Sequence, residues 1–132
     1  MTFTQAELEY LTGQTLGRLA TVGSDGVPQN NPVAFSVDPA AGTIDIYGLA
    51  MGKTKKFRNV RENGRVAFVV DDIASRTPWK VRGVEIRGTA EAVEDEDPPA
   101  AYLSREVIRI RPRRIISWGL DADQEGMRGR DV

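Results

Sequence analysis

The sequence predicts a small, mainly β protein whose strands form a largely antiparallel barrel. Three observations predict this fold: six segments read as strands, most connections between them are short, and no strand-helix-strand repetition is present. The length of 132 residues corresponds to about one domain, and neither an internal repeat nor a linker divides the chain. We therefore expect residues 1–132 to form a single domain.

The first predicted element is a short helix from Gln5 to Thr12. Thr4 and Glu7 have the spacing of a capping box, in which each side chain accepts a hydrogen bond from the other residue's backbone amide. Gly13 follows the last helical residue and is expected to end the helix. Beyond Gly13 the apolar residues alternate, which predicts strands for most of the remaining chain.

The predicted strands differ in how they are covered. Pro28 and Pro32 lack an amide proton, so the second strand should lie at a sheet edge or carry a bulge. An unbroken apolar run at 66–70 indicates a strand covered on both faces, whereas strict alternation at 84–92 places one face inside. The six predicted strands are Leu16 to Val22, Val27 to Val37, Thr43 to Tyr47, Arg65 to Asp71, Val84 to Ala92 and Val107 to Trp118.

The composition excludes several kinds of chemistry. The chain contains no His and no Cys, which removes the Ser-His-Asp arrangement, thiolate nucleophiles and metal sites built on imidazole or thiolate. We expect no metal site, and an enzyme of this composition would take its chemistry from a bound cofactor. The net charge of −1 and the aromatic content of 7% do not favour a nucleic-acid-binding protein.

Targeting and membrane signals are also absent from the sequence. The first ten residues contain no basic region followed by an apolar run. No stretch approaches the ~20 apolar residues that a membrane-spanning helix requires. We therefore expect a cytoplasmic protein that does not associate with a membrane.

The segment from Lys53 to Arg65 is the strongest candidate for ligand binding. It holds six cations and one carboxylate, a net charge of +5. Lys53, Lys55 and Lys56 crowd the start of a predicted helix capped by Thr54, where the helix dipole already places about half a positive charge. Backbone amides and lysines that converge there form a phosphate site. A solvated basic face is the alternative, but the two glycines just before the helix let backbone approach a flat ligand.

Other charged and aromatic residues have simpler interpretations. An acidic run is expected to form a solvated loop, with weak cation binding as the alternative; it comprises Glu91, Glu94, Asp95, Glu96 and Asp97. An arginine stripe is expected to face a partner's acidic loop, with a polyanion surface as the alternative; it comprises Arg105, Arg109, Arg111, Arg113 and Arg114. Trp79 and Trp118 are expected in the core or an interface, with Trp79 at a ligand as the alternative.

The order of the sequence motifs resembles that of a known protein family. The chain has Gly-Arg-Leu-Ala-Thr-Val and Ser-Asp-Gly-Val-Pro-Gln in the first hairpin, Lys-Thr-Lys-Lys-Phe-Arg-Asn in the basic helix, and Val-Glu-Ile-Arg-Gly-Thr-Ala-Glu in a later strand. This order resembles the pyridoxamine 5′-phosphate oxidase-like split β-barrel superfamily and, more narrowly, its deazaflavin (coenzyme F420)-dependent oxidoreductases from actinobacteria. The resemblance spans roughly residues 5 to 121.

The resemblance implies a homodimer with two cofactor sites between the subunits. Within each site, the resemblance implies that Lys53, Thr54 and Lys56 hold the cofactor phosphate. It implies that the ring is faced by backbone of the second strand, at Asn31, Pro32 and Val33, and of the third strand, at Tyr47 and Gly48. It also implies that Trp79 and Arg82 come from the neighbouring subunit.

The resemblance also implies a reductase that transfers hydride between reduced deazaflavin and a small unsaturated or aromatic substrate. The proton would come from water, or from Tyr47 if its hydroxyl faces the ring. F420 is favoured over FMN because a basic surface of Lys55, Arg58 and Arg61 would attract its polyglutamate tail, although the phosphate of either cofactor would fit. An FMN-dependent oxidoreductase and a non-catalytic F420- or flavin-binding protein are the alternatives.

Overall fold

The computed structural model describes residues 2–123 and 125–132 and confirms the mainly β fold. Two α-helices, α1 (Gln5–Thr12) and α2 (Lys55–Glu62), accompany the sheet, and a 3₁₀ turn at Met51–Lys53 precedes α2. The eight strands are β1 (Leu16–Val22), β2 (Pro28–Ala34), β3 (Ser36–Asp38), β4 (Thr43–Ile46), β5 (Arg65–Arg76), β6 (Trp79–Val93), β7 (Val107–Trp118) and β8 (Met127–Asp131).

The strands form one antiparallel sheet that curls round on itself. Its order is β2-β1-β5-β6-β7-β4-β3, and β8 adds to β7. β2 and β3 lie at opposite ends of this order, yet only Phe35 separates them along the chain. The two ends of the sheet must therefore come together at Phe35, whose ring packs edge-on against Phe68 with centroids 5.3 Å apart.

The second predicted strand is wrong as a single element. The sequence predicts one strand from Val27 to Val37, whereas the chain leaves β2 after Ala34 and pairs β3 with β4. The break occurs because the curled sheet needs a corner where the chain passes from one end to the other. The prediction that this strand lies at an edge is confirmed, since β2 pairs only with β1.

The central hairpin is longer than the alternation predicts. β5 continues five residues beyond Asp71, and β6 begins five residues before Val84. Arg76 pairs with Trp79 at the tip and Ile73 pairs with Val81, with a shift of register between Ile73 and Ser75. The sequence does not predict this part of the hairpin because apolar and polar residues do not alternate near the tip. Exposed strand ends bury no face and therefore do not need such alternation.

The two helices match their predictions closely. In the capping box, the Thr4 amide donates to Glu7 Oε1 at 2.9 Å and the Glu7 amide donates to Thr4 Oγ1 at 3.2 Å. Gly13 is the C-cap of α1. Thr54 is the N-cap of α2, with the Phe57 amide donating to its hydroxyl at 3.2 Å.

β8 is absent from the predicted strands. Its sequence, Met-Arg-Gly-Arg-Asp, has no apolar alternation, and it pairs with the outer part of β7 from Arg114 to Trp118. Arg130 of β8 reaches the buried Glu7 of α1 with contacts of 2.6 and 2.7 Å. A strand that is held by backbone pairing and by ion pairs of Arg130 and Asp131 with distant residues leaves no periodic signal.

The core lies between the curled sheet and the two helices. Fully buried side chains come from α1, α2 and the inward faces of the strands, and include Leu11, Phe57, Phe68, Ile44, Ile46, Ile86, Ile108, Ile110 and Ile115. The inward face predicted for the strand at 84–92 is confirmed, because Val84 and Ile86 are buried and Ala90 and Ala92 pack against the core. No described helix combines the length and apolar composition that crossing a membrane requires.

Candidate functional site

The start of α2 presents unsatisfied hydrogen-bond donors. Thr54 Oγ1 accepts from the Phe57 amide at 3.2 Å and donates to the Met51 carbonyl at 2.7 Å, so its hydroxyl is fully used by the cap. The next two amides, of Lys55 and Lys56, have no acceptor among residues 2–123 and 125–132. Two free amides at a helix start are the backbone part of an anion site.

The lysines at this helix start carry uncompensated charge. Every ion pair among the described residues uses an arginine, and none uses Lys53, Lys55 or Lys56. Lys53 and Lys55 are exposed, and Lys56 is half-buried. The helix dipole opposes cations at this position, so a bound phosphate would relieve an existing repulsion.

Most arginines of the stripe pair with carboxylates of their own chain. Arg109 lies between Asp45 and Glu96, with contacts of 2.9 and 2.8 Å. Arg105 contacts Asp95 and Asp97 at 2.7 and 2.9 Å. The interpretation of this stripe as a surface for a partner's acidic loop is therefore wrong for these two arginines. The acidic run is the loop that they meet, and Asp95 and Asp97 remain mostly exposed in these contacts, as expected for a solvated loop.

Two further residues of the stripe also bind carboxylates. Arg111 contacts Glu91 at 3.5 Å and Arg114 contacts Asp131 at 2.8 Å. Elsewhere in the acidic run, Glu94 accepts from Arg61 of α2 at 2.8 Å. No group of three acidic side chains in the described part of the chain has the arrangement of a metal site. Four of the five arginines of the stripe therefore have an acidic partner within the chain, whereas Lys53, Lys55 and Lys56 have none among the described residues.

The segment between β4 and α2 is held by two residues that the sequence does not reveal. Ser104 donates its amide and its hydroxyl to the Gly48 carbonyl at 2.9 and 3.1 Å, and its Oγ accepts from the Met51 amide at 2.9 Å. Glu106 Oε1 accepts from the Gly52 amide at 3.0 Å. These bonds fix the backbone that leads into the lysine cluster. A single Ser and a single Glu in a loop form no motif, so only the structure identifies them.

Tyr47 lies half-buried just beyond the end of β4. Burial raises the pKa of its hydroxyl, and the charges of Asp45 and Glu96 raise it further, while Arg109 partly offsets them. The hydroxyl is therefore a weaker acid than an exposed tyrosine, which makes it a poorer proton donor at neutral pH.

The edge strand β2 lies beside α2. Asn59 of α2 donates to Thr21 Oγ1 at 3.1 Å and to Gln29 Oε1 at 3.5 Å, which joins the helix to β1 and β2. Along β2, Asn31 is half-buried, Pro32 is exposed and the Val33 side chain is in the core. Only the backbone of Val33 is available to a ligand, and an edge strand leaves part of its backbone unpaired.

Trp79 and Arg82 lie at the other end of the molecule. Arg82 makes a two-fold contact with Asp72 at 2.8 and 3.0 Å, and its guanidinium lies 5.2 Å from the Tyr10 ring centroid. Trp79 is 62% exposed at the hairpin tip.

One chain does not bring these two residues to the lysines. Gly52 binds Glu106, which directly precedes β7, and Val107 at the start of β7 pairs with Val93 of β6. Trp79 begins β6 at its opposite end, and about 45 Å of strand, measured along the chain, lies between Trp79 and Val93.

Comparisons with known proteins agree with this architecture. The family model described as pyridoxamine 5′-phosphate oxidase matches residues 3–128. The 5a,11a-dehydrotetracycline/5a,11a-dehydrooxytetracycline reductase of Streptomyces rimosus subsp. rimosus is 51% identical over 100% of this chain and 94% of its own length.

Solved structures show the same fold. A conserved hypothetical protein from Mycobacterium tuberculosis superposes with a TM-score of 0.71 and 26% identity, covering 89% of this chain and 86% of its own. A structure described as an F420 reductase has a TM-score of 0.58 and 29% identity, covering 76% of this chain and 88% of its own.

Proposed function

Because this chain belongs to the pyridoxamine 5′-phosphate oxidase family, we propose that it is an F420-dependent reductase of an unsaturated polycyclic substrate. The observation that carries the proposal is the start of α2, where two backbone amides and three neighbouring lysines have no acceptor or acidic partner among the described residues. The Streptomyces relative, named as a reductase of dehydrotetracyclines, supports an oxidoreductase and suggests the substrate class.

The residues at the helix start fit a cofactor phosphate. In this proposal the amides of Lys55 and Lys56 donate to phosphate oxygens, and Lys53 and Lys56 supply charge. Thr54 contributes by holding the cap, since its hydroxyl already donates to Met51. The polyglutamate tail of F420 would meet Lys55 and Arg58, because the third cation of the predicted basic surface, Arg61, is engaged with Glu94.

The remaining tasks of the protein are to bind the cofactor, to orient it and to shield it. Reduced F420 supplies the hydride from its own ring carbon, so neither imidazole nor thiol is needed. The backbone of Asn31, Pro32 and Val33 at the open edge of β2, and that of Tyr47 and Gly48 after β4, would face the ring, as the resemblance implies. The proton would come from water or from Tyr47, whose hydroxyl is a weaker acid than an exposed tyrosine because burial raises its pKa.

We propose that the working site is shared between two copies of the chain. The lysines of one copy and Trp79 and Arg82 of the other would border the same cofactor, as the resemblance implies. The separation of these groups along β6 within one chain supports this arrangement, because a single copy offers only part of the site.

The experiment is a pair of fluorescence titrations in which F420 and FMN are added separately to the purified protein. We expect saturable binding of F420 with a lower dissociation constant than that of FMN. Tighter binding of FMN would replace the proposal by an FMN-dependent oxidoreductase. Binding of neither cofactor would contradict both the F420 and the FMN assignment.

A further inference from the structure

A cleft of about 600 Å³ lies between the tip of the β5–β6 hairpin and the turn that joins β7 to β8. Trp79 and Val81 form one wall, and Trp118, Leu120 and Met127 form the other. The volume lies in the range of sites for small organic ligands, which is roughly 300–1,000 Å³. This cleft is separate from the lysine cluster, which lies at the opposite end of β6.

Two glycines bring the walls of the cleft together. Gly83 pairs with Trp118, and a side chain at Gly83 would collide with the Trp118 ring. Gly119 has a φ of +67° and lies against the Val81 carbonyl, so a side chain there would push the turn away from β6. The close approach of the two walls of the cleft therefore depends on glycine at both positions.

The apolar lining of the cleft is open to solvent. Trp79 is 62% exposed and Met127 is 72% exposed, although residues of these types are usually covered. Lys80 and Asp121 also line the cleft, and neither forms an ion pair with another described residue. Such a lining suits a ligand with flat apolar rings and a polar edge.

We propose that this cleft binds the substrate of the reductase, a flat polycyclic molecule whose rings contact Trp79, Trp118 and Met127. Lys80 and Asp121 contact its polar edge. The assignment of the ligand as substrate rests on the proposed function, in which Trp79 borders the cofactor of the neighbouring copy. The cleft would then hold the substrate beside that cofactor.

The two tryptophans of the chain provide the test, because both line the cleft. Tetracycline, the compound formed when the 5a,11a double bond of 5a,11a-dehydrotetracycline is reduced, is titrated into the protein without cofactor while tryptophan emission is recorded. We expect saturable quenching. Met127→Glu should raise the dissociation constant about tenfold, since it removes an apolar contact and adds a charge.

Tyr102→Glu is the matched control, because Tyr102 is 73% exposed and lies outside the cleft. This variant should bind tetracycline like the unaltered protein and should leave the affinity for F420 unchanged. Equal binding by Met127→Glu and the unaltered protein would overturn the inference. A change of oligomeric state in Met127→Glu would also overturn it, because a second copy would then cover the cleft.

The outcomes separate this inference from the proposed function. If F420 binds but tetracycline produces no saturable quenching, the cleft assignment fails and the proposed reductase stands. If neither F420 nor FMN binds but quenching saturates and depends on Met127, the cleft is a ligand site and the proposed function fails.

Discussion

Lysine and arginine have different partners in this chain. The arginines along β6 and β7 hold carboxylates in short contacts, such as Arg109 between Asp45 and Glu96. A planar guanidinium suits such two-fold pairing, whereas an ammonium group on a flexible stem is a movable point charge. The lysines at the start of α2 have no such partner among the described residues, and they remain available to a ligand.

The residue that tests this site most simply is Lys56. We expect Lys56→Glu to raise the dissociation constant of F420 by roughly tenfold or more, because an attractive charge at the phosphate becomes a repulsive one. The thermal stability should not fall, since a carboxylate is favourable near a helix N-terminus. Fluorescence titration and a melting curve measure the two quantities.

Arg113→Glu is the matched control for this charge reversal. Arg113 is exposed on β7 and lies outside both the lysine cluster and the cleft. It should leave F420 binding unchanged. An equal loss of affinity in both variants would show a general effect of net charge and would contradict a phosphate site at the helix start.

At the scale of elements, β8 and α1 are joined by an ion pair with a buried carboxylate. The Glu7 side chain is 3% exposed and that of Arg130 is 38% exposed, with a closest contact of 2.6 Å. Burial by itself raises the pKa of Glu7, but hydrogen bonds from Arg130 and the Thr4 amide outweigh it, so the pKa lies below its ordinary value of 4.5. The ionised form of Glu7 is therefore stabilised by the fold.

Removal of Arg130 should leave a buried carboxylate without its partner. We expect Arg130→Met to lower the free energy of unfolding by about 3 kcal/mol, at the lower end for a broken buried pair because Arg130 is partly exposed. Arg128→Met, an exposed change in the same strand, should alter it by less than about 0.5 kcal/mol. Glu7→Gln combined with Arg130→Met should recover part of the loss. Denaturant unfolding measures each value.

The same pair predicts a pH dependence. The folded-state pKa of Glu7 is lowered, so its stabilising contribution is complete above about pH 4.5 and is lost as the pH falls through the folded-state value. In Arg130→Met, burial dominates and the pKa of Glu7 rises. The stability difference between the two proteins should therefore shrink on acidification. A difference that is constant from neutral to acid pH would contradict this assignment.

Local signals in the sequence predict the helices and the lysine cluster well. The capping box of α1 and the cap of α2 involve residues three positions apart, so the sequence contains both partners. The corner at Phe35, the strand β8 and the clamp from Ser104 to Gly48 depend on residues distant in the chain. No periodicity or spacing encodes such contacts, and only the folded sheet brings them together.

At the scale of the whole molecule, the candidate residues fall into two groups that one chain holds apart. α2 and the edge of β2 lie together at one end, and Trp79 and Arg82 lie at the tip of the long hairpin. The proposed site shared by two copies would use both groups, and two-fold symmetry would then give two equal sites.

Mixing two defective variants tests this sharing. Lys56→Glu and Trp79→Ala should each be poor reductases as homodimers. In a mixed dimer one site carries both changes and the other carries none, so co-expression should restore about a quarter of the unaltered activity. Size-exclusion chromatography checks that dimers form. Activity no higher than that of the separate variants would contradict a site built from two chains.

The central claim is that this chain, which contains no His and no Cys, reduces its substrate with hydride transferred from reduced F420. The most direct measurement mixes the protein with reduced F420 and 5a,11a-dehydrotetracycline without oxygen and follows the absorbance of oxidised F420. We predict one F420 oxidised for each substrate molecule reduced, and no reaction when the protein is omitted. Oxidation of reduced FMN in place of reduced F420, or no oxidation when cofactor and substrate are both bound, would contradict the claim.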